Sequence, residues 1–264
     1  MNQFRKALSL LLLMVAVCYV QEAWTQENLN LNLESRAGVL VPDFSKLPDL
    51  PRQQFVYVPT GGLPLFDAQQ KQVATLSKFC PVGKYTDGHM RMFILPLSNP
   101  NNCVNVPLEK LHHYSDDTYV IPFYENDTKV LRLFDGNSLG NTWAKVSDII
   151  DRDFVVMSWK DYFISRRNSP ILAKGKGLNL RESPYDDAEL ILTVKGERMH
   201  MFITGYDDGF CEGPWCKVKV KVYKENPCTT QRAEEANVEK EYGGWVKLIN
   251  DAGLPNVYMN TKGC

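Results

Sequence analysis

The sequence predicts an all-β protein, and two features of the chain point to this class. From residue 55 onward, the apolar residues occur in short runs that are rich in Val, Ile, Phe and Tyr. These runs are separated by turn sequences such as TGG at 60–62, DGN at 135–137 and DDG at 207–209. Short apolar runs bounded by Gly, Asn and Asp at close spacing are typical of β-sandwiches and small barrels.

Strands are predicted wherever such a run ends at a turn sequence, and few helices are expected. The helical candidates are residues 68–78, 147–152 and 231–242. The predicted strands are residues 55–58, 90–95, 119–124, 130–134, 154–159, 190–194, 199–203 and 215–222.

Lys and Val alternate strictly over residues 217–222. This period of two predicts a half-buried strand with one apolar face and one cationic face. We interpret the lysine row as an exposed face that keeps the protein soluble and discourages edge pairing. An anion-binding face is the alternative interpretation.

The composition is that of an ordinary globular protein, with 44% hydrophobic and 23% charged residues in a chain of 264. Thirty Lys and Arg against 31 Asp and Glu give a formal net charge of -1. The basic surface of a nucleic-acid-binding protein is therefore not expected.

Residues 1–25 are predicted to be a secretory signal. Arg5 and Lys6 precede an apolar run at 8–20, which is shorter than the ~20 residues that a membrane-spanning helix needs. Residues 26–54 are expected to be an extended segment, because prolines at 42, 48 and 51 oppose a helix. No later run is apolar enough to span a membrane, so we expect an exported protein of the periplasm or cell surface.

Cysteine usage agrees with export. Cys18 lies in the predicted signal, and the six that remain favour disulfides over zinc, because CEGPWC at 211–216 lacks the close paired spacing of zinc fingers. Six cysteines allow about 15 pairings. Proximity within the candidate domains favours Cys80 with Cys103, Cys211 with Cys216, and Cys228 with Cys264.

Four ordered motifs in the C-terminal half resemble bacterial SH3 (SH3b) domains. GLNLRESP at 177–184 is similar to the family's opening Leu-Asn-Val-Arg-x-x-Pro pattern, and KGERMHM at 195–201 to its Lys-Gly turn. GPWCKV at 213–218 resembles the Gly-x-Trp-x-Lys-Val strand, and GWV at 244–246 resembles the closing strand. The chain departs from the family in an insertion at 224–243.

The same order recurs more faintly upstream. LPLF at 63–66 is compared with the opening strand, KVLRL at 129–133 with the strand after the second turn, TWAKV at 142–146 with the Trp-x-Lys-Val strand, and DFV at 153–155 with the closing one. The resemblance therefore implies two tandem SH3-like small barrels with long insertions. The first domain would span 55–166 and the second 171–264.

Tryptophans are the main candidates for a binding surface. In each Trp-x-Lys-Val strand, Trp143 or Trp215 lies on the face opposite the inward Val, so we expect it to be half-exposed for stacking or peptide docking. The alternative is that each Trp packs beneath a loop. The repeated Tyr-Asp-Asp sequences beside Trp215 are either a second contribution to this site or ordinary turns. The candidate ligand-binding residues are Tyr185, Tyr206, Asp207, Trp215, Trp245 and Trp143.

No catalytic constellation is predicted. His112 and His113 are adjacent and would point to opposite faces of a strand, and a metal site that includes Asp116 or Asp117 is not expected. No cofactor is predicted either. The expected function is a non-catalytic binding protein of the bacterial cell envelope, whose partner is peptidoglycan or an envelope protein. The alternative is a cell-wall hydrolase, or an accessory or inhibitor of one, that uses the insertion of the first domain.

Overall fold

Two antiparallel β-sheets and three short helices make up the described part of the chain. The structure is a computed structural model that describes residues 37–47, 57–82, 91–107, 111–115, 118–127, 129–134, 142–204, 210–251 and 253–259. The prediction of an all-β fold is confirmed.

The first sheet is formed by ten strands from the N-terminal half of the chain. They are β1 (Gly38–Pro42), β2 (Leu63–Phe66), β3 (Gln72–Ser77), β4 (Phe93–Pro96), β5 (Val104–Asn105), β6 (His112–Ser115), β7 (Thr118–Asp127), β8 (Val130–Leu133), β9 (Thr142–Lys145) and β10 (Phe154–Ser158).

The second sheet is formed by eight strands that begin at residue 171. They are β11 (Ile171–Ala173), β12 (Leu178–Arg181), β13 (Leu190–Val194), β14 (Met199–Ile203), β15 (Cys211–Glu212), β16 (Trp215–Tyr223), β17 (Val238–Lys247) and β18 (Val257–Met259). The helices are α1 (Val146–Ile150), α2 (Trp159–Ser165) and α3 (Glu234–Asn237).

The two sheets repeat one connectivity. The first contains the order β3-β2-β9-β8-β7-β1-β10, and the second has the order β13-β12-β17-β16-β14-β11-β18. Numbered within each half, both read as third, second, sixth, fifth, fourth, first and seventh strand. Additional strands extend the pattern: β4, β5 and β6 in the first sheet and β15 in the second. The chain therefore contains a duplicated strand arrangement.

The strand pairing also shows how the two halves correspond. Trp143 of β9 pairs with Phe66 of β2, and Trp245 of β17 pairs with Arg181 of β12. In both sheets a register shift directly precedes the β2 or β12 residue of that pair. Trp143 is thus the counterpart of Trp245, and the sequence alignment that equates it with Trp215 is wrong. The alignment failed because WxK occurs in both the fifth and the sixth strand of the second half.

Seven of the eight predicted strands overlap observed strands. The segment 55–58 is the exception, because Tyr57 and Val58 are not in a strand and residues 55–56 lie outside the described part. The predicted helix at 68–78 is also wrong. Asp67 Oδ1 accepts hydrogen bonds from the backbone N–H groups of Gln69 and Lys71, which forms a turn that leads into β3.

The helix α2 was missed, and the predicted helix at 231–242 is much shorter. Ser158 ends β10 and caps α2: its Oγ accepts from the Asp161 backbone N–H at 3.0 Å and donates to the Asp161 carboxylate at 2.7 Å. Of residues 231–242, only Glu234–Asn237 is helical, and β17 begins at Val238. No helix in the described segments is long and apolar enough to cross a bilayer.

One hydrophobic cluster contains residues from both halves of the chain. Trp159, Tyr162 and Phe163 of α2 pack in it together with Val39 of β1 and many side chains of the second sheet. Burying these rings removes apolar surface from water, which favours the folded state by ~25 cal/mol per Å². The division into two domains near 166–171 stays a prediction, since both sheets contribute to this shared core.

A substitution at Gly244 tests the close packing between β12 and β17. A Cβ added there would lie 2.6 Å from the Arg181 carbonyl oxygen and 3.0 Å from Leu180 Cγ, whereas one at Gly243 would meet nothing within 4 Å. We expect Gly244→Ala to lower the free energy of unfolding by about 2 kcal/mol, and Gly243→Ala to change it by less than about 0.5 kcal/mol. Urea denaturation of both variants measures this, and equal effects would contradict the close packing.

Candidate functional site

Trp245 lies between two cationic residues on the outer face of the second sheet. It pairs with Arg181 of β12 on one side and with Lys217 of β16 on the other. Directly opposite residues of an antiparallel pair project to the same face, with Cβ atoms about 5 Å apart. The neighbours of Trp245 along the strand, Gly244 and Val246, are buried, whereas Trp245 is half-buried. An aromatic residue therefore lies half-buried at the surface, with an arginine and a lysine at the paired positions on the same face.

Lys247 closes one end of this surface. Its Nζ lies 2.8 Å from the Asp251 carboxylate and 3.2 Å from the Asp186 carboxylate. Hydrogen bonding to Asp251, and then to Asp186, raises the pKa of Lys247. The same ammonium group lies 5.9 Å from the centre of the Trp215 ring. Lys247 is thus fixed by two carboxylates above an indole.

Trp215 is buried, which corrects the prediction that it is half-exposed. Only 7% of it is accessible, although it shares the outer face with the exposed Lys217. The physical reason is its position at the end of β16, where it pairs with Glu212 in the β15–β16 hairpin and with Lys247 on the other side. The alternative interpretation, a Trp that packs beneath neighbouring groups, describes Trp215.

The loop between β12 and β13 presents Tyr185, which is 61% exposed. Arg181 Nη1 donates to the Ala188 carbonyl at 2.5 Å, and the Tyr185 backbone N–H donates to the Ser183 carbonyl at 2.9 Å. These bonds tie the loop to the strand that borders Trp245. The Asp186 carboxylate is paired with Lys247, so it is already neutralised within the chain. Tyr206 and Asp207 lie outside the described residues.

Together, the side chains at this place are defined as the Trp245 face: Arg181, Tyr185, Lys217, Trp245 and Lys247. The sequence alone pointed to Tyr185 and Trp245, and to Lys217 only as part of the lysine row whose alternative interpretation was an anion-binding face. It did not single out Arg181 or Lys247 as binding residues. The spacing of the cationic residues along the chain gives no signal, because Arg181 and Lys217 are brought beside Trp245 only by the register of β12, β17 and β16.

The equivalent face of the first sheet differs in chemistry. Trp143 is half-buried, with Ala144 buried behind it, as the sequence predicts. It pairs with Phe66 where Trp245 pairs with an arginine. Lys145 Nζ lies 4.3 Å from the centre of the Phe66 ring. A cavity of about 150 Å³ opens here, and its lining includes Phe66, Asp67, Gln70, Asp127, Trp143 and Lys145.

The lysine row of β16 is largely paired. Lys219 Nζ lies 3.4 Å from a Glu241 oxygen, and Lys221 Nζ lies 2.5 Å from a Glu234 oxygen. Lys217 makes no ion pair with a described residue. These contacts support the interpretation of the row as an exposed, solubilising face, with Lys217 as the member that remains open to a partner.

Two of the three predicted disulfides are confirmed, Cys80–Cys103 and Cys211–Cys216. Their Cα atoms are 5.9 Å and 4.0 Å apart. Cys228 is also disulfide-bonded, while Cys264 lies outside the described residues. The second disulfide joins directly paired residues of β15 and β16, so it closes the hairpin that ends in Trp215.

The two histidines whose side chains are described, His112 and His200, lie in different environments. His112 is buried, with its ring centre 4.9 Å from that of Trp159. His200 is 2% exposed, and the centre of its ring lies 5.1 Å from the centre of the Tyr223 ring. His89, Asp116, Asp117 and the side chain of His113 lie outside the described part. Among the residues that the structure does describe, no three His, Cys, Asp or Glu side chains are grouped closely enough to hold a metal ion.

No family model, curated protein or solved structure matches the chain. The resemblance to bacterial SH3 domains therefore stays a prediction that depends on the four motifs.

Trp215 and Trp245 differ in burial, so their removal has different consequences. We expect Trp215→Ala to lower the free energy of unfolding by about 3–5 kcal/mol, because it leaves a cavity beneath Lys247. Trp245→Ala removes a half-buried ring from the sheet surface, and its effect is smaller. Chemical denaturation followed by far-UV circular dichroism compares the two without relying on tryptophan fluorescence. Equal losses would show that Trp245 is a core residue and no surface group.

Burial lowers the pKa of His200 below its ordinary value of 6.5, although a hydrogen bond to the Glu197 backbone acts in the opposite direction. The unfolded chain then binds a proton on His200 more readily than the folded one. The contribution to stability is complete above pH 6.5 and is lost as the pH falls below it. The pKa of Glu234 is lowered from 4.5, so that carboxylate contributes in a more acidic window.

We therefore expect the free energy of unfolding to decrease between pH 7 and 5, and His200→Phe to remove part of that slope. Denaturation curves at several pH values, for the wild type and the variant, measure the difference. Because the other histidines are common to both proteins, their contributions cancel. Parallel curves would contradict a buried, neutral His200.

Proposed function

We propose that this protein is an exported, non-catalytic binding protein that holds an acidic peptide segment on the Trp245 face. The observation that carries the proposal is the half-buried Trp245 held between Arg181 and Lys217. The indole supplies a flat apolar surface for a side chain or peptide group. The two cations beside it attract carboxylates, so the surface favours peptides that carry negative charge.

The surroundings of Trp245 support a docking surface. Tyr185 extends from the neighbouring loop with 61% of its surface exposed, and aromatic residues of this kind are common anchors in interfaces. Lys247 is already bound by Asp251 and Asp186, which leaves Arg181 and Lys217 as the cations that face a partner. The binding energy is thus expected to centre on Trp245, with charge steering from Lys217.

The disulfides are consistent with an oxidising compartment, and the predicted signal segment points to export. The SH3-like motifs imply a bacterial cell envelope. There, free carboxylates are carried by the stem peptides of peptidoglycan and by acidic segments of envelope proteins. We propose peptidoglycan stem peptides as the ligand. The experiment below distinguishes them from the alternative ligand, an envelope protein.

The test measures binding of the purified protein to insoluble peptidoglycan by sedimentation, together with titration of a soluble stem peptide. Trp245→Ala is expected to weaken binding by about 30-fold, as for a central aromatic anchor. Lys217→Ala is expected to weaken it by a few-fold, and less at high salt. The matched control is Lys219→Ala, which lies two residues along the same row and is paired with Glu241.

Phe79→Ala serves as a second control, because Phe79 is a 69% exposed ring in the loop that follows β3. Equal effects of Lys217→Ala and Lys219→Ala would refute a specific role for the Trp245 face. If the protein binds neither peptidoglycan nor the stem peptide, the proposed ligand is wrong. Crosslinking in envelope extracts, compared between wild type and Trp245→Ala, then reports whether the face binds a protein instead.

A further inference from the structure

A second cavity lies at the other end of β16 from the Trp245 face. It measures about 380 Å³, a size within the range of small-molecule sites. Strands β14 and β16, the segment 225–237 and residues 168–170 surround it. The residues that line it are Asn168, Pro170, His200, Phe202, Tyr223, Pro227, Arg232, Glu234 and Asn237.

His200 is one of the lining residues and is only 2% exposed. Its Nε2 has no hydrogen-bond partner among the described residues. The ring has a hydrogen bond to the backbone of Glu197, and we assign this bond to Nδ1 because Nε2 has no partner. Because burial keeps the imidazole neutral, Nδ1 carries the proton and Nε2 offers a lone pair. A ligand that donates a hydrogen bond would satisfy this buried acceptor.

The charged groups that line the cavity are paired within the chain. Glu234 accepts from Lys221 Nζ at 2.5 Å and from the Tyr223 hydroxyl at 3.4 Å. Arg232 Nε donates to Glu225 at 2.8 Å. A charged ligand would have to displace one of these partners to find an opposite charge. An uncharged ligand that both donates and accepts hydrogen bonds needs no such rearrangement.

The remaining lining matches the two kinds of surface on a sugar ring. Asn168 is exposed and makes no side-chain hydrogen bond to another described residue, so its amide can donate and accept. Phe202, Pro170 and Pro227 provide apolar surfaces on which the C–H groups of a sugar can pack. Hydroxyl donors, hydroxyl acceptors and an apolar face occur together in saccharides.

The wall formed by the insertion is fixed before any ligand arrives. Asn237 is 1% exposed; its Oδ1 accepts from the Glu225 backbone N–H at 3.0 Å, and its Nδ2 donates to the Glu225 carbonyl at 3.1 Å. Cys228, which belongs to the same segment, is disulfide-bonded. A preformed wall reduces the entropy that binding has to overcome.

We propose that this cavity binds one uncharged saccharide residue, with a sugar hydroxyl donating to His200 Nε2 and Asn168 contacting the ring at the cavity mouth. The site is separate from the Trp245 face. Lys221, which borders the cavity, lies four residues along β16 from Lys217, a distance of about 13 Å at the rise of a β-strand. The two ligands can therefore be tested independently.

The experiment titrates the full mature protein with glucose, galactose, mannose and N-acetylglucosamine, and uses glycerol as a control for unspecific hydroxyl binding. Binding is read from the ring signals of the histidines by NMR, with His200 assigned through His200→Phe. At least one sugar is expected to shift the His200 signals in a saturable manner. His200→Phe and Asn168→Ala should each weaken the affinity about fivefold to tenfold, as measured by calorimetry.

Trp245→Ala is the control that separates this proposal from the proposed function, since it should leave sugar affinity unchanged while it weakens peptide binding. Asn168 is exposed, so Asn168→Ala is not expected to disturb folding. This variant keeps the test valid if His200→Phe folds poorly. The proposal is overturned if no sugar shifts the His200 signals, if glycerol shifts them equally, or if Asn168→Ala leaves the affinity unchanged.

Discussion

The contact between the second and sixth strands of each half is the constraint on which the arrangement of the surface residues depends. In the first sheet it consists of the pair Phe66 and Trp143, and in the second of Arg181 and Trp245. Each contact occurs beside a register shift, where one strand bends against its neighbour. The glycine before Trp245 permits the closest approach, since a Cβ at Gly244 would strike the backbone of β12.

The same framework carries different surfaces because the residues at equivalent positions have diverged. Lys145 and Lys247 are equivalent, yet Lys145 lies over a phenylalanine ring, while Lys247 is bound by two carboxylates above Trp215. In the first half this arrangement covers Phe66 and leaves a small cavity. In the second half it buries Trp215 and leaves Trp245 at the surface. Equivalent positions in a duplicated fold can therefore cover one aromatic ring in the first copy and a different one in the second.

Local patterns in the sequence predicted the parts of the fold that depend on local physics. The alternation of Trp143 and Lys145 against an inward Ala144 was read correctly, and the strands at 190–194 and 199–203 have the predicted bounds. The capping pair Ser158 and Asp161 was available as a helix signal but was overlooked. The burial of Trp215 was beyond such patterns, because it depends on Lys247, which contacts it only through the strand register.

Strand β16 explains how one sheet can present two distinct surfaces. Its outward residues alternate with core valines, and the partner of each outward residue is set by the neighbouring strands. At one end Lys217 pairs with Trp245, and the surface is aromatic and cationic. Towards the other end Lys221 lies opposite His200, and Glu234 from the insertion neutralises it. The insertion thus supplies Glu234, which pairs with Lys221 and also lines the cavity together with Arg232. The two ends of this strand therefore present different chemistry, because Lys217 lies beside an aromatic residue and Lys221 is paired with a carboxylate.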